Sequence, residues 1–109
     1  MIKLKKCKKT KYGEYGYKIT LDDKKIGAIY LNTSDKCLIV SYITISKKNR
    51  GKGYSKIAIK KLILMYKGKY KCIITTSIKK TNIPSRKLWK SLGFKEFTKD
   101  KSLYAIKEI

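Results

Sequence analysis

The segment Arg50-Gly-Lys-Gly-Tyr-Ser55 is the most informative part of the chain, because its two glycines stand where the hydrophobic pattern changes. Before it, residues 37–45 are β-branched and apolar on both faces, which predicts a central strand covered from both sides. After it, Ala58, Leu62 and Met65 recur at helical spacing. At a strand-to-helix junction, unpaired backbone N–H groups and the helix dipole attract anions. We therefore expect the loop to bind a pyrophosphate, the alternative being a glycine turn that only begins a helix.

The remaining pattern predicts a mixed α/β (α+β) sheet in one domain over residues 1–109, with the order β-β-β-β-α-β-α-β-β. Alternating Tyr15, Tyr17, Ile19 and Leu21 are typical of a strand with one buried face. The further strands are expected near residues 2–4, 26–31, 72–77, 94–98 and 103–109, and the helices from Gly53 to before Gly68 and over 84–92. The basic segment 3–11 has two interpretations, as part of a first strand or as a loose arm.

Charge is the second notable feature of the composition. The 109 residues carry 29 Lys+Arg against 7 Asp+Glu, a formal net charge of +22. One interpretation is a compositional bias toward lysine codons, and the other is attraction for a polyanion such as nucleic acid. Under either, Lys47, Lys48, Lys52 and Lys56 around the glycine loop raise the encounter rate with an anionic ligand.

Cysteine usage predicts a reducing, cytoplasmic location. Cys7, Cys37 and Cys72 are odd in number and lack the Cys-x-x-Cys spacing, and the chain has no histidine, so we expect reduced thiols and no metal site. The basic N-terminus has no apolar stretch behind it, and no apolar run reaches membrane-spanning length. We expect neither a secretory signal nor a membrane partner.

Two motifs resemble those of the GNAT superfamily of N-acetyltransferases. The run 50–55 is similar to the superfamily's Arg/Gln-x-x-Gly-x-Gly/Ala signature, with Ser55 in place of the last small residue. The run 82–94, Asn-Ile-Pro-Ser-Arg-Lys-Leu-Trp-Lys-Ser-Leu-Gly-Phe, resembles the later Asn-x-x-Ala-x-x-Leu-Tyr-x-x-x-Gly-Phe motif in order and spacing. The resemblance spans about residues 37–97 and implies acetyl-CoA as the cosubstrate.

The resemblance also implies which residues hold the cosubstrate. Ile43 and Ile45 would offer backbone groups to the pantetheine arm, and Asn82 would hydrogen-bond the arm, cap a helix, or do both. The full implied set is Ile43, Ile45, Arg50, Gly51, Lys52, Gly53, Tyr54, Ser55, Asn82, Ser85 and Trp89.

The chain departs from the superfamily in two ways. Typical members have two helices after the first strand, and only residues 10–14 are available for them here, which implies an open acceptor face suited to a bulky acceptor such as a protein tail. Trp89 stands where many relatives carry a tyrosine acid, and Ser77 where some carry a glutamate base. The remaining candidates for the acid are Tyr42, Tyr54, Cys72 or solvent.

Two functions follow as hypotheses. The first is an acetyl-CoA-dependent N-acyltransferase that acts by direct attack of an amine on the thioester, with a protein as one option for the acceptor. Its positive site would lower the pKa of the acceptor ammonium without a dedicated base. The second is a catalytically weak CoA-binding or nucleic-acid-binding module on the same scaffold, in which lysines and tyrosines of residues 3–18 stack bases rather than form an ordinary solvated strand. The sequence predicts neither the acceptor nor the oligomeric state.

Overall fold

The computed structural model describes residues 1–8 and 10–109, and within them seven strands and two α-helices follow the predicted order. The elements are β1 (Ile2–Lys8), β2 (Tyr15–Leu21), β3 (Lys24–Thr33), β4 (Cys37–Ile45), α1 (Tyr54–Tyr66), β5 (Cys72–Thr75), α2 (Ile83–Ser91), β6 (Lys95–Lys99) and β7 (Ser102–Glu108). A 3₁₀ turn, Lys47–Asn49, leads from β4 into the glycine loop. The predicted mixed sheet is confirmed.

The strands form one sheet in the order β1-β2-β3-β4-β5-β7-β6. Neighbouring strands are antiparallel except β4 and β5, which are parallel and pair only from Cys37 opposite Cys72 to Val40 opposite Thr75. Beyond that last pair β4 continues to Ile45 while β5 ends. The two central strands therefore part at their carboxyl ends.

Both helices pack on the same face of the sheet, which we call the helix face. The connections β4-α1-β5 and β5-α2-β6 cross in the same direction, so right-handed crossovers place both helices on one side. The hydroxyls of Tyr15 and Tyr17 on β2 each lie 2.8 Å from the Tyr66 hydroxyl on α1. The largest fully buried side chains of the core are Ile19, Ile29, Leu31, Leu38, Ile59, Leu62 and Ile73.

The opposite face, the open face, has no helix over it in the part of the chain that the structure describes. On β4, Leu38 and Val40 of the helix face are buried, whereas Ile39 is only half-buried and Tyr42 is 49% exposed. The prediction that β4 is covered from both sides is therefore wrong for the open face. Only residues 9–14 lie between β1 and β2, too few for a helix that could cover it.

The prediction of three reduced thiols is wrong for two of them. Cys37 and Cys72 are the first residues of β4 and β5, lie opposite each other in the parallel register and form a disulfide, with Cα atoms 4.6 Å apart. Cys7 is a free thiol. Sequence spacing missed the bridge because only the register of two strands brings the pair together.

Of the basic segment 3–11, the part up to Lys8 forms a strand rather than a loose arm, whereas residues 10 and 11 lie beyond the strand and residue 9 lies outside the described residues. β1 pairs with β2 from Ile2 opposite Leu21 to Lys8 opposite Tyr15. In the described residues, no helix is both long and apolar enough to cross a membrane.

Candidate functional site

The glycine loop has a conformation that favours glycine at two positions. Gly51 and Gly53 have φ angles of +76° and +79°, in the left-handed region that other residues adopt at a cost. A Cβ atom at either position would meet no heavy atom within 4 Å. The backbone therefore favours glycine at both positions, and the space in front of the loop is open to a ligand.

The first turn of α1 presents unpaired donors to that space. Its N-cap is Gly53, which offers no side-chain cap, and the first turn contains no acidic residue. The first helical bond runs from the Ile57 N–H to the Gly53 carbonyl at 3.2 Å. The N–H groups of Tyr54, Ser55 and Lys56 thus precede any helical partner, and the helix dipole adds partial positive charge. This arrangement binds anions.

A cleft of about 560 Å³ opens between this helix end, the end of β4 and α2. Its lining comprises Ile43, Ile45, Asn49, Arg50, Gly51, Gly53, Tyr54, Ser55, Lys56, Asn82, Pro84, Ser85, Lys87, Leu88 and Ser91. Three of these carry positive charge and, among the described residues, no carboxylate lines the cleft. We call it the anion cleft.

Arg50 ties the loop to the strand. Its Nε donates to the Ile45 carbonyl at 2.8 Å, so this carbonyl, expected to be free for a ligand, already has a donor. The bond fixes the loop against the end of β4 while the guanidinium still lines the cleft.

The far wall of the cleft, α2, is held by two sets of hydrogen bonds. Asn82 caps the helix, because its Oδ1 accepts from the Ser85 N–H at 3.2 Å. Arg86 donates through Nε and Nη2 to the Glu96 carboxylate on β6 at 2.8 and 2.9 Å, and through Nη1 to the Lys80 carbonyl at 2.9 Å. The bond from Arg86 lowers the pKa of the Glu96 carboxyl. These bonds set the position of α2 relative to the sheet.

A second, narrower cleft of about 300 Å³ lies where β4 and β5 part, and we call it the strand gap. It is lined by Val40, Ser41, Tyr42, Ile43, Thr75, Thr76, Ser77, Ile78, Lys79, Asn82, Ser85 and Trp89. Because the two clefts share Ile43, Asn82 and Ser85, they form one continuous channel along β4.

A bulge in β4 shapes the strand gap. Tyr42 pairs with Tyr30 and Val40 with Leu31, which leaves Ser41 as the extra residue. The bulge is held by a hydrogen bond from the Asn32 amide to the Ser41 hydroxyl and by the Thr76 hydroxyl, which donates to the Ser41 carbonyl at 3.1 Å. Past Val40, the edge of β4 on the β5 side has no strand partner among the described residues. An extended ligand with amide groups can hydrogen-bond along this edge.

The model of the acetyltransferase (GNAT) family matches residues 4–94. The chain belongs to this family. Its members use acetyl-CoA as cosubstrate, so the predicted family and cosubstrate are confirmed.

Solved structures of GNAT proteins share the fold. A GNAT family acetyltransferase from Elizabethkingia anophelis with acetyl-CoA bound has a TM-score of 0.74 at 16% identity, covering 87% of this chain and 76% of that one. A Bacillus subtilis acetyltransferase in complex with CoA has a TM-score of 0.75 at 13% identity, with the same coverages. The ribosomal-protein-S18-alanine N-acetyltransferase from Escherichia coli has a TM-score of 0.70 at 15% identity, covering 84% of this chain and 64% of that one. No curated protein matched the sequence.

Most of the residues expected to hold the GNAT cosubstrate are brought together. Those that line the anion cleft are Ile43, Ile45, Arg50, Gly51, Gly53, Tyr54, Ser55, Asn82 and Ser85. Trp89 lines the strand gap but is only 3% exposed, with its ring 4.9 Å from that of Phe94, so it is mainly a core residue. Lys52 is exposed and lines neither cleft.

The three candidate acids lie in different parts of the structure. Tyr42 lines the strand gap and Tyr54 lines the anion cleft at the helix end. Cys72 lines neither and is bonded to Cys37 at the opposite end of β5 from the strand gap. Its thiol is therefore not a candidate acid in the folded chain, which corrects the expectation from sequence.

Sequence reasoning missed one face of α2. Pro84, Lys87, Leu88 and Ser91 line the anion cleft and follow the spacing i, i+3, i+4, i+7 of one helix face. That spacing was a usable signal once Asn82 and Ser85 were placed in the site. Thr76 and Lys79 of the strand gap gave no such signal, because they follow β5 without a helical or motif spacing.

Proposed function

We propose that this GNAT protein transfers the acetyl group of acetyl-CoA to a primary amine. The observation that carries the proposal is the continuous channel from the unpaired N–H groups of α1 to the unpaired edge of β4. Such a channel suits a ligand with a pyrophosphate at one end and an extended amide-containing arm at the other.

The cosubstrate is proposed to lie along this channel with its pyrophosphate at the start of α1 and its thioester in the strand gap. Its pyrophosphate accepts from the first N–H groups of α1, beside the positive side chains of Arg50, Lys56 and Lys87. Its pantetheine arm follows residues 41–45 of β4, with the Asn82 amide nitrogen as a further donor. The thioester then lies in the strand gap, open to a nucleophile.

The reaction is proposed as direct transfer. The amine nitrogen attacks the thioester carbonyl carbon, a C–N bond forms, the C–S bond breaks, and the thiolate takes up a proton. No carboxylate among the described residues lines the strand gap, whereas the Lys79 ammonium does. Positive charge there disfavours an ammonium acceptor and lowers its pKa, so water can remove its proton. Of the three sequence candidates, we assign the proton donor to Tyr42, because its residue lines the strand gap.

A bulky acceptor fits this site better than a small enclosed metabolite. Tyr42 lies on the open face, so a polymer that carries the amine can approach the strand gap without being enclosed. A protein amine is supported by the fold shared with the Escherichia coli enzyme, whose acceptor is the alanine of ribosomal protein S18. The acceptor of this chain is proposed to be of that bulky class.

Calorimetry with acetyl-CoA and adenosine 3′,5′-bisphosphate at physiological salt tests the cosubstrate site. The bisphosphate shares much of the charge but lacks the pyrophosphate and the arm. We expect clearly tighter one-to-one binding of acetyl-CoA. Equal, salt-sensitive binding of both would mean that charge alone acts, and would reject the channel as the cosubstrate site.

Thiol release from acetyl-CoA, with a set of peptide and small primary amines, tests the transfer. We expect Tyr42→Phe to lower kcat by about 100-fold with little change in the KM for acetyl-CoA, as for loss of a general acid. An unchanged kcat would assign the proton to solvent. In the pH profile, the acceptor amine should titrate below its solution pKa, and a value equal to the solution pKa would reject the role of the positive field.

A second candidate function is supported by Trp89 and Ser77, which stand where the resemblance implies a tyrosine acid in many members and a glutamate base in some. In that case the protein binds acetyl-CoA tightly, releases no thiol with any amine and serves as a CoA-binding module. The two measurements above separate the candidates, because binding and turnover are observed independently.

A further inference from the structure

Three tyrosines form a cluster on the open face, away from the anion cleft. Tyr12 follows β1, Tyr30 lies on β3 and Tyr42 lies on β4. The Tyr12 ring is 5.2 Å from each of the other two, and the rings of Tyr30 and Tyr42 lie 6.1 Å apart and nearly parallel, at 17°. Tyr12 is 51% exposed and Tyr42 is 49% exposed. So much exposed aromatic surface in one place is typical of a binding site.

Three lysines lie beside this cluster. A groove of about 220 Å³ runs beside it, and its lining comprises Cys7, Thr10, Lys11, Tyr12, Tyr17, Lys18, Lys25, Ala28 and Tyr30. The Lys11 Nζ lies 5.8 Å from the centre of the Tyr12 ring. No carboxylate among the described residues lines the groove. Aromatic rings and ammonium groups therefore share one open concave surface.

We propose that this surface, formed by Tyr12, Tyr30, Tyr42, Lys11, Lys18 and Lys25, binds single-stranded nucleic acid. Exposed rings stack on bases without regard to sequence, and lysines follow the phosphates. Each ligand feature has a matching group within the same groove. A duplex hides its base faces in its own stack, so the rings favour a single strand.

Other occupants match fewer of these features. A second copy of the chain would bring another +22 charge to the surface, and repulsion opposes that contact. An acidic peptide would satisfy the lysines but leave the exposed rings unused. The region between Asp35 and Glu96 contains no acidic residue, so all of its charged side chains add to the attraction for a polyanion. Single-stranded nucleic acid is the occupant that matches both features, because its phosphates match the lysines and its bases match the exposed tyrosine rings.

The proposed surface meets the channel for acetyl-CoA at one residue, Tyr42, and otherwise lies apart from it. The anion cleft lies on the helix face, and none of its lining residues lines the lysine groove. Tyr42 is the only member that also lines the strand gap. Single-strand binding can therefore be measured without the cosubstrate, and it stands or falls independently of acetyl transfer.

The first test uses the unmodified protein and fluorescence anisotropy of labelled thymidine oligonucleotides of about 12 nucleotides, within the usual range of single-strand sites. The comparison strand has the same length and phosphates but abasic sugars, and a duplex of the same length is the third ligand. We expect the thymidine strand to bind at least about 10-fold more tightly than the abasic strand and the duplex. Equal affinity for the thymidine and abasic strands would overturn the proposal, since charge alone would then explain binding.

The second test uses matched variants. Tyr12→Ser removes an exposed ring at constant charge, and its control Leu64→Ser removes an exposed apolar side chain, 72% exposed, from α1 on the helix face. We expect Tyr12→Ser to weaken thymidine binding about 10-fold and to leave abasic binding unchanged. Lys18→Gln should weaken both strands more than Lys60→Gln on α1 does. Equal effects within both pairs, in variants that keep the wild-type circular dichroism spectrum, would also overturn the proposal.

Discussion

The two faces of this sheet carry similar residues and reach different states of burial. On β5, Ile73 faces the helices and is fully buried, while its neighbour Ile74 faces the other way and is only half-buried. The same contrast runs along β4, where Leu38 is fully buried and Ile39 is not. Apolar side chains on both sides of a strand therefore do not establish that both sides are covered.

The difference separates two physical tasks within one sheet. The helix face buries the core and, at the end where β4 and β5 part, holds the channel proposed for the cosubstrate. The open face keeps its tyrosines and lysines accessible to a macromolecule. A small charged ligand needs a fixed cradle, whereas a polymer needs access, and the two faces offer one each.

The largest expected effect concerns the helix face. Gly53→Glu places a carboxylate at the unpaired N–H groups of α1, and we expect acetyl-CoA binding to weaken about 1,000-fold, equivalent to losing two charge-assisted hydrogen bonds. Calorimetry of the variant measures this directly.

Gly68→Glu is the matched control for that change. Gly68 also has a positive φ, of +85°, and open space around its Cβ position, but it lies after the other end of α1. Backbone strain and charge are thus the same at both positions. If both variants lost the same affinity, the anion cleft would not be the site of the pyrophosphate.

The sequence predicted the order of the elements and the bounds of the central ones. β4 has the predicted limits, and α2, predicted over residues 84–92, spans Ile83–Ser91. The glycine loop was placed correctly because its signals are local, namely two glycines between a strand period and a helix period. Asn82, as one of its two expected roles, caps α2.

What the sequence did not predict depends on register and on the side of the sheet. The disulfide requires Cys37 and Cys72 to be opposite in a parallel pair, and the exposure of Tyr42 requires knowing that no helix covers its face. Lys52 lies within a motif, yet its side chain lines neither cleft. Each is a non-local property, and the periodicity of one segment contains no information about it.

A pair of alanine substitutions on β5 tests whether side chains on the helix face contribute more to stability than those on the open face. Ile73→Ala removes a fully buried side chain, and we expect the free energy of unfolding to fall by about 4 kcal/mol. Ile74→Ala, on the open face, should cost about 1 kcal/mol, because fewer atoms lose contacts. Urea unfolding of both variants provides the values. Equal losses would show that the open face is covered in solution, by another copy of the chain or by another segment.

Thiol counting tests whether Cys37 and Cys72 are bonded at the end of β4 and β5 opposite the strand gap. Thiol titration of the unfolded, unreduced protein should count one thiol, that of Cys7, and three after reduction. In a Cys7→Ser background that prevents exchange, reduction should lower the free energy of unfolding by about 4 kcal/mol, since the bridge closes a loop with a sequence separation of 35. Three thiols before reduction would instead support the original expectation of reduced cysteines.

The smallest effect is a pH dependence at the tyrosines that join the helix face to α1. Burial raises the pKa of Tyr17 and of Tyr66 to about 12, and that of Tyr15 is raised as well. Because these phenols hold their protons more tightly in the folded state, they stabilise it fully below the ordinary tyrosine pKa near 10. That contribution is lost as the pH rises from about 10 toward 12. Lysines titrate in the same range, so the informative quantity is the difference from Tyr66→Phe, which lacks one of the raised groups. Urea midpoints between pH 9 and pH 11 should fall more steeply for the wild type than for the variant. Parallel declines would mean that Tyr15, Tyr17 and Tyr66 do not control alkaline stability.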